Sequence, residues 1–367
     1  MEGNIGSSAH APTLEDILAA RTVISRLQGT GELHRTPLIR SRTLAKACEA
    51  REVRLKAECL QVTGSYKVRG AIYKVSRLTE AQKRAGVVAA SAGNHAQGLA
   101  FAAAHAQIRS VIVMPTNAPE AKAHATAHYQ WSVEGSRVER FGSSFEDART
   151  RALELVREEG LIFVEAFDDP DIIAGQGTIA LEILEEFPDV DTILVGVGGG
   201  GLIAGITTAL RALKPEVRVI GVEAAGAASM RYALDRGHVE ALPLLQNTVA
   251  DGIKTRIVGE LPFAIIRKHL AHDDVVVVGD HAITEAMVLL LERCKLQVEG
   301  AGAATVAALL SDSTCDIYAE LKAGRRVEDA ASKCCDRLID VRGHNVVALL
   351  SGGNVDETRL ASILLAS

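Results

Sequence analysis

The chain has 367 residues, a net charge of −6, 48% hydrophobic residues and only 4% aromatic residues. This length predicts two domains with a substantial apolar core, and the acidic balance argues against nucleic acid or an anionic membrane as a partner. No apolar run approaches the roughly 18 residues that a membrane span requires, and residues 1–13 show no signal-peptide pattern.

Short runs rich in β-branched residues alternate along the chain with segments of helical periodicity. An N-terminal helix is predicted over residues 13–28, where Thr13 and Asp16 suggest a capping box. Strands are predicted at residues 87–90, 111–114, 162–164, 192–197, 217–222, 275–278 and 346–350. Helical patterns occupy residues 71–78, 99–106, 179–187 and 282–294. This alternation predicts an α/β fold with mainly parallel strands, in which ligands bind beyond the carboxyl ends of strands.

The first candidate site is a lysine at the predicted start of a helix, within the sequence Gly64-Ser65-Tyr66-Lys67-Val68-Arg69-Gly70. A cation at this end of a helix is disfavoured by the helix dipole. The mismatch indicates that the amine has a function, and an amine of lowered pKa can act as a Schiff-base nucleophile. Taken alone, a solvated surface lysine remains the simpler interpretation.

Three further candidate sites are polar, glycine-rich turns that follow predicted strands. Their sequences are Ser91-Ala92-Gly93-Asn94-His95-Ala96-Gln97-Gly98, Gly196-Val197-Gly198-Gly199-Gly200-Gly201 and Ser351-Gly352-Gly353-Asn354. A strand, a glycine turn and a helix together present free backbone N–H groups, which bind anions such as phosphate. Three such turns in one chain are a stronger indication of a ligand site than any one of them.

A dinucleotide site is an alternative. Gly196, Gly198 and Gly201 match the G-x-G-x-x-G pattern, and Glu223 ends the next strand 22 residues later. This pattern alone would indicate an NAD-dependent oxidoreductase. It would leave Lys67 and the other two turns without a function.

Taken together, the motifs resemble those of the fold-type II pyridoxal-phosphate enzymes, and within them the threonine dehydratase and serine racemase group. Ala174-Gly175-Gln176-Gly177-Thr178 adds to the resemblance, which extends from about residue 13 to the C-terminus. It implies a tryptophan-synthase-β-like fold of two domains, with parallel sheets flanked by helices. It also implies pyridoxal 5′-phosphate as the cofactor and α,β-elimination as the reaction.

The resemblance also implies individual roles. Lys67 would carry the cofactor and move the substrate α-proton, and Ser91 would act with it. Tyr66 and Gly252 would lie on opposite faces of the pyridine ring, and Ser351 would face the ring nitrogen. The phosphate would be held by Gly198, Gly199, Gly200 and Gly201. Asn94 would bond the 3-hydroxyl oxygen, and the substrate carboxylate would be bound by Ser91, Asn94 and His95.

The substrate implied by the resemblance is an L-β-hydroxy amino acid, which would be converted to a 2-keto acid and ammonia. L-Threonine is favoured, with L-serine, threo-3-hydroxyaspartate and a bulkier β-hydroxy acid left open, and Arg256 is the residue that would favour an acidic side chain. Serine racemases carry a serine where this chain has Ala92, and a methyl group cannot transfer a proton. Racemisation is therefore disfavoured. A pyridoxal-phosphate-binding protein without catalytic activity is a further alternative.

A cation site is a further implication of the resemblance. The racemases bind a divalent metal with a Glu, a backbone carbonyl and an Asp; Glu223 and Ala227 match the first two, and Ser229 replaces the Asp. Loss of one carboxylate disfavours a hard divalent ion. We therefore expect a monovalent cation or a weakly bound divalent one, if any is bound.

The predicted domains are a large one (residues 1–80 and 165–367) and a small one (residues 81–164), with the active site between them. A polar stretch near residues 312–342 is predicted to be an insertion. The chain ends 13 residues after Asn354, so no C-terminal regulatory domain and no feedback inhibition by isoleucine are expected. The six cysteines form no Cys-x-x-Cys pair, which predicts a cytoplasmic protein. A homo-oligomer, a dimer or a tetramer, is expected.

Overall fold

The structure, a computed structural model, describes residues 10–130, 132–310 and 338–366. Most of the insertion predicted at residues 312–342 therefore lies outside the described residues. The described part of the chain is built from ten strands in two sheets, with helices between successive strands. None of its helices is long and apolar enough to cross a membrane. The predicted α/β class is confirmed.

The larger sheet has six strands in the order β1-β2-β10-β7-β8-β9. Only the β1–β2 pair is antiparallel; the remaining neighbours are parallel. The strands are β1 (Leu38–Arg40), β2 (Glu52–Ala57), β7 (Thr192–Gly196), β8 (Arg218–Ala224), β9 (Val275–Val278) and β10 (Asn345–Leu350). Strands β7 and β10 are buried along their whole length, as expected for a parallel sheet covered on both faces.

The smaller sheet has four parallel strands in the order β5-β4-β3-β6. They are β3 (Val87–Ala90), β4 (Ser110–Met114), β5 (Arg137–Arg140) and β6 (Ile162–Phe163). All four come from one continuous stretch of the chain, between β2 and β7 of the larger sheet. The chain segment that forms the smaller sheet is therefore inserted between β2 and β7 of the larger sheet.

The helices of the described residues flank these sheets. They are α1 (Leu14–Thr30), α2 (Arg42–Ala47), α3 (Lys67–Ser76), α4 (Glu80–Ala85), α5 (Asn94–His105), α6 (Glu120–Gln130), α7 (Phe145–Glu159), α8 (Pro170–Glu186), α9 (Gly201–Leu213), α10 (Ser229–Arg236), α11 (Glu260–His269), α12 (Asp280–Leu289), α13 (Gly300–Leu310) and α14 (Glu357–Ala366). The predicted capping box of α1 is present, with Thr13 and Asp16 each bonding the other's backbone N–H. Several helices begin earlier than their apolar periodicity indicates, because their first turns carry the polar motifs.

Glycines allow three helices to approach closely beneath the lysine-bearing segment. A Cβ placed at Gly175 of α8 would lie 2.6 Å from the Cα of Gly70 on α3. On its other side, α8 meets α9, where a Cβ at Gly205 would lie 2.3 Å from the carbonyl oxygen of Ile173. These contacts give the Ala-Gly-Gln-Gly-Thr motif of residues 174–178 a structural role: it fixes where α3 begins relative to the larger sheet.

Four fully buried charged side chains lie beneath α3, and we refer to them as the buried ion cluster: Lys56, Glu58, Arg69 and Glu182. Arg69 donates two hydrogen bonds of 2.8 Å to Glu58 and bonds of 2.8 and 2.9 Å to Glu182. Lys56 bonds Glu182 at 2.7 Å. Two positive and two negative groups thus balance, as burial of charge requires.

Candidate active site

A cavity of about 530 Å³ lies between the carboxyl ends of strands from the two sheets. Residues 90–95, which follow β3, form one wall, and Gly196 and residues 198–202, which follow β7, form the opposite wall. Lys67 and Tyr66 lie between them, and the segment 251–257 covers one side. This is the position at which parallel α/β sheets bind ligands.

Lys67 is the first residue of α3, and its amine projects into the cavity. The amine donates a 2.8 Å hydrogen bond to the carbonyl oxygen of Ala166 and makes no ion pair that the structure records. Burial lowers the pKa of Lys67 to about 8. At pH 7 about a tenth of this amine is therefore the neutral nucleophile that Schiff-base chemistry requires, far more than for a lysine of ordinary pKa.

The turn that contains Ser91, Asn94 and His95 opens α5. No acceptor within the described residues pairs with the backbone N–H groups of Asn94, His95 and Ala96, so the helix N-terminus remains available to an anion. The Ser91 hydroxyl accepts a 3.2 Å bond from the Gly93 N–H. The His95 ring bonds the Val164 carbonyl oxygen at 3.1 Å, and burial, with the nearby charge of Lys67, lowers its pKa to about 3. His95 is therefore neutral and structurally engaged.

The glycine turn of residues 198–201 opens α9. Gly200 has φ +93°, a conformation that favours glycine, and a Cβ at Gly199 would lie 2.2 Å from the ring of Phe167. Among the described residues, no acceptor pairs with the N–H groups of Gly199, Gly200, Gly201 and Leu202. The turn is a second cradle of free donors, at the opposite side of the cavity from α5.

Of the three residues expected to contact the pyridine ring, two line the cavity and one lies behind it. Tyr66 and Gly252 line it, and the Lys67 amine lies 5.4 Å from the centre of the Tyr66 ring. Ser351 is buried next to them, with its carbonyl oxygen accepting the Tyr66 N–H at 3.1 Å, but it is not among the residues that line the cavity. The structure thus brings Ser351 near the site through Tyr66.

Glu299 is a cavity residue that the sequence analysis missed. Its buried carboxylate accepts a 2.6 Å hydrogen bond from the Asn94 side-chain amide. Burial, with the charge of Asp251, raises the pKa of Glu299 to about 7. Glu299 lies just before α13 in an apolar stretch without a glycine turn after a strand, so the pattern used for the other sites could not find it. We refer to Lys67, His95 and Glu299 as the cavity groups.

The loop of residues 166–169 holds Lys67 from the other side. Asp168 accepts 3.0 Å bonds from the N–H groups of Glu260 and Leu261, which open α11. This cap fixes the loop whose Ala166 carbonyl receives the lysine bond and whose Phe167 ring covers the glycine turn.

Glu223 and Ala227 lie apart from the residues that line the cavity. The carboxylate of Glu223 is fully buried, and its two oxygens accept the N–H groups of Met230 (2.7 Å) and Arg231 (2.8 Å). Burial raises its pKa to about 8. Both oxygens are engaged in capping α10, and Glu223 does not line the cavity, so the dinucleotide interpretation lacks an acidic partner at this site.

Comparison with known proteins identifies the family. The protein-family model for pyridoxal-phosphate dependent enzymes matches residues 30–327. The chain belongs to this family. It is 40% identical over 352 residues to an L-threonine ammonia-lyase of Thermotoga maritima, covering 96% of this chain and 78% of that protein.

Two solved structures resemble the fold closely. Maize serine racemase superposes with a TM-score of 0.82 at 31% identity and covers 97% of this chain and 98% of its own. Threonine deaminase isoform 2 of Solanum lycopersicum gives a TM-score of 0.80 at 31% identity, with 98% and 96% covered. The fold-type II assignment is confirmed, and both branches of the predicted group are represented.

The cavity fits pyridoxal 5′-phosphate. The free N–H groups of the glycine turn suit a phosphate, and the amine of Lys67 suits the cofactor's aldehyde. Asn94 and Tyr66 supply an amide and an aromatic ring between these two points. The acceptors and donors present thus match the groups that this cofactor offers.

Proposed function

We propose that this enzyme is a threonine ammonia-lyase, which removes the β-hydroxyl and amino groups of L-threonine, and also of L-serine, to give 2-oxobutanoate or pyruvate and ammonia. The observation that carries the proposal is the Lys67 amine, of lowered pKa, in a cavity between two helix N-termini with free donors. The relative from Thermotoga maritima supports the substrate.

The cofactor supplies an electron sink for the α-carbon when it is bound. Lys67 would attach it and, once released by the substrate, take the α-proton. Gly198, Gly199, Gly200 and Gly201 would hold the phosphate through backbone N–H groups, and Asn94 the 3-hydroxyl oxygen. Tyr66 and Gly252 would contact the ring, with Ser351 at its nitrogen.

The turn at the start of α5 is the proposed site for the substrate carboxylate. Ser91 and the N–H groups of Asn94 and His95 would bind it, which suits the free donors of that turn. Because His95 is neutral and bonded to Val164, it contributes its backbone rather than a proton. Ser91, whose hydroxyl faces Gly93, would assist catalysis by orienting the carboxylate.

The side chain of the substrate would lie near Phe145, Leu245 and Ile257, which give the cavity an apolar part. Arg256 also lines the cavity, and its Nε donates a 3.2 Å bond to the carbonyl oxygen of Leu242. An apolar wall favours the methyl group of threonine. Arg256 is what would favour threo-3-hydroxyaspartate as an alternative substrate.

The first experiment tests the cofactor attachment. The purified enzyme is reduced with borohydride and digested, and the peptide that carries the cofactor is identified by mass spectrometry. We expect the label on Lys67, with Lys254, another cavity lysine, unlabelled. Absence of any label would contradict the proposal.

The second experiment tests the substrate. Keto-acid release is measured with L-threonine, L-serine, threo-3-hydroxyaspartate and a bulkier β-hydroxy acid. We expect L-threonine to give the highest kcat/KM. A higher value for threo-3-hydroxyaspartate that falls in Arg256→Met would assign the enzyme to the acidic substrate instead.

We also propose a cation site at Glu223 and Ala227. A buried carboxyl whose pKa is raised would gain from a nearby cation, and the Ser229 hydroxyl, 3.2 Å from that of Thr255, would link the site to the cavity segment. Among the described residues, no three His, Cys, Asp or Glu side chains form a metal cluster, which favours a monovalent ion. A rise in melting temperature with K⁺ that Glu223→Gln abolishes would support the site.

The remaining proposals concern organisation. We propose two domains, residues 1–80 with 165–367 and residues 81–164, each containing one of the two sheets. A homo-oligomer in the cytoplasm is proposed as well. Within the described residues, Cys59 and Cys294 are free thiols, which supports a reducing compartment. Light scattering of the purified enzyme would measure the oligomeric state.

A further inference from the structure

A chain of hydrogen bonds ends at Glu299. The side-chain amide of Asn354 donates both of its hydrogens, to the Thr63 carbonyl oxygen and to the Asn94 side-chain oxygen, each at 2.8 Å. The Asn94 oxygen is therefore an acceptor, and its Nδ2 is the atom that donates to Glu299 at 2.6 Å. One hydrogen of Asn94 Nδ2 remains for the cavity.

The position of the Glu299 carboxylate is fixed by two glycines. A Cβ at Gly352 would lie 2.4 Å from its Oε1 atom, and a Cβ at Gly252 would lie 3.1 Å from it. Its backbone is held as well, because the Glu299 N–H donates to the Gly352 carbonyl oxygen at 3.1 Å. Both glycine segments thus approach the carboxylate closely, and a side chain at either position would displace it.

The charges around Glu299 nearly cancel. Lys122 is paired with Asp251 at 2.8 Å, and Arg359 lies 3.9 Å from the same carboxylate, on a face that it shares with Asp356. Burial and the charge of Glu299 raise the pKa of Tyr66, and burial with the charges of Glu58 and Glu299 raises the pKa of Cys59 to about 12, so both groups are neutral near pH 7. Lys67, with a pKa of about 8, is mostly protonated near pH 7 when no cofactor is attached. Burial therefore dominates, and the pKa of about 7 places the titration of Glu299 in the working range of an enzyme.

Glu299 also borders a second cavity. This cavity has a volume of about 230 Å³ and lies between α6, α12 and the start of α14. Lys122, Asp251 and Glu299 line both cavities. The carboxyl can therefore exchange its proton on the side away from the proposed substrate site.

We propose that Glu299 is a positioning residue, whose carboxylate fixes the Asn94 amide and so sets how strongly that amide bonds the cofactor's 3-hydroxyl oxygen. This inference rests on the proposed function, because it requires the cofactor at Lys67. When Glu299 is ionised, its carboxylate is a strong acceptor for one Nδ2 hydrogen of Asn94. Protonation of Glu299 weakens this hydrogen bond. The protonation state of Glu299 would thereby change the strength of the hydrogen bond from Asn94 to the cofactor's 3-hydroxyl oxygen.

The test is the visible absorption of the bound cofactor between about pH 5.5 and 9, without substrate. We expect the wild-type spectrum to change with a midpoint near 7, the pKa of Glu299. Glu299→Gln keeps the shape and an acceptor for Asn94 but cannot ionise, so this change should disappear. Glu146→Gln is the matched control, since Glu146 lines the same cavity but is not a hydrogen-bond partner of the Asn94 amide among the described residues, and it should retain the change.

Two further variants separate positioning from a general loss of structure. Glu299→Asp keeps an ionisable group and should keep a transition at a shifted pH. Asn354→Ala removes the donor that orients Asn94, and it should weaken cofactor binding about tenfold, as expected for one lost hydrogen bond. A transition near pH 7 that persists in Glu299→Gln would overturn the proposal, as would a wild-type spectrum without one. A wild-type protein that binds no cofactor would overturn the proposed function itself.

Discussion

Two groups of buried titratable residues meet at α3, which carries both Lys67 and Arg69, and they are organised in opposite ways. In the buried ion cluster, burial alone would raise the pKa of Glu182, but Arg69 and Lys56 hold it well below its ordinary value. Among the cavity groups, Lys67 and Glu299 have no partner of opposite charge within hydrogen-bond distance in the described part of the chain, and burial moves their pKa values toward neutrality. The buried ion cluster keeps its charges, while Lys67 and Glu299 can exchange protons near neutral pH.

The difference shows how the fold separates stability from chemistry. Charges that are balanced and bonded can be buried without titrating near neutral pH, and Arg69 is only two residues from Lys67 on the same helix. The buried ion cluster can thus hold the first turn of α3 in place. The cavity can then keep an amine with a lowered pKa, which a flexible segment would expose to water.

The largest effect is expected from removal of the cavity amine. Lys67→Ala should lower kcat by about ten-thousandfold, because both the attachment of the cofactor and the base for the α-proton are lost. Steady-state deamination of L-threonine measures the effect. The fold should remain, since the amine makes one hydrogen bond and no ion pair that the structure records.

Lys254→Ala is the control for this variant. Lys254 also lines the cavity, but its amine bonds Asn247 at 2.7 Å. We expect less than a tenfold loss, about 1.4 kcal/mol of transition-state stabilisation at most. A comparable loss in both variants would show that Lys67 has no special role.

A substitution in the buried ion cluster should lower the free energy of unfolding. Arg69→Met leaves Glu58 and Glu182 buried with too little compensating charge, and it should cost about 3–5 kcal/mol of unfolding free energy. Urea denaturation, followed by circular dichroism, measures this cost. Loss of activity should follow loss of the fold.

Arg137→Met is the matched control, because Arg137 bonds Glu139 and Glu159 at the surface. Exposed pairs of this kind contribute less than about 1 kcal/mol. Equal costs for Arg69→Met and Arg137→Met would contradict the comparison between buried and exposed charge.

The two groups also differ in how far the sequence predicted them. Glycine turns after strands are a local pattern, from which Asn94 and the turn of residues 198–201 were found, and Lys67 was found from its position at a predicted helix start. The structure brings all three together. The alternation of elements likewise predicted the α/β fold. Glu299 and Glu182 are distant in the sequence from their partners Asn94 and Arg69 and carry no local pattern, so only the packing of the chain reveals them.

The sequence predicted strand positions better than helix starts. Strand β4 (Ser110–Met114) begins one residue before its prediction, whereas α8 (Pro170–Glu186) begins nine residues before its apolar pattern. The first turn of α5 contains Asn94, His95 and Gln97, and α8 begins with Pro170 and Asp171 and continues into the Gly-Gln-Gly motif of residues 175–177, none of which follows apolar periodicity. These residues line the cavity or pack closely against another helix. Hydrophobic periodicity does not record such contacts, so it did not predict where these helices begin.

The lowered pKa of Lys67 predicts how the enzyme free of cofactor takes it up. Only the neutral amine attacks an aldehyde, and the fraction of neutral amine rises with pH through about 8. Below that pH, the initial rate of uptake should fall about tenfold per pH unit, and above it the rate should level. Stopped-flow absorbance measures the rate. A rate that continues to rise toward pH 10 would indicate an ordinary lysine.

The smallest effect is expected at Ala92, which lines the cavity between Ser91 and Gly93. In the proposed mechanism Lys67 takes the α-proton from one face of the substrate, and a methyl group at position 92 cannot return one from the other face. The wild-type enzyme should therefore eliminate the β-hydroxyl with little racemisation, although maize serine racemase shares its fold. Ala92→Ser places a hydroxyl at this position and should give detectable D-serine from L-serine, measured by chiral chromatography. The gain should be small, because a serine acts as an acid or base only when neighbouring groups tune its pKa. If the wild-type enzyme already racemises serine as fast as it deaminates it, another residue must serve as the second base.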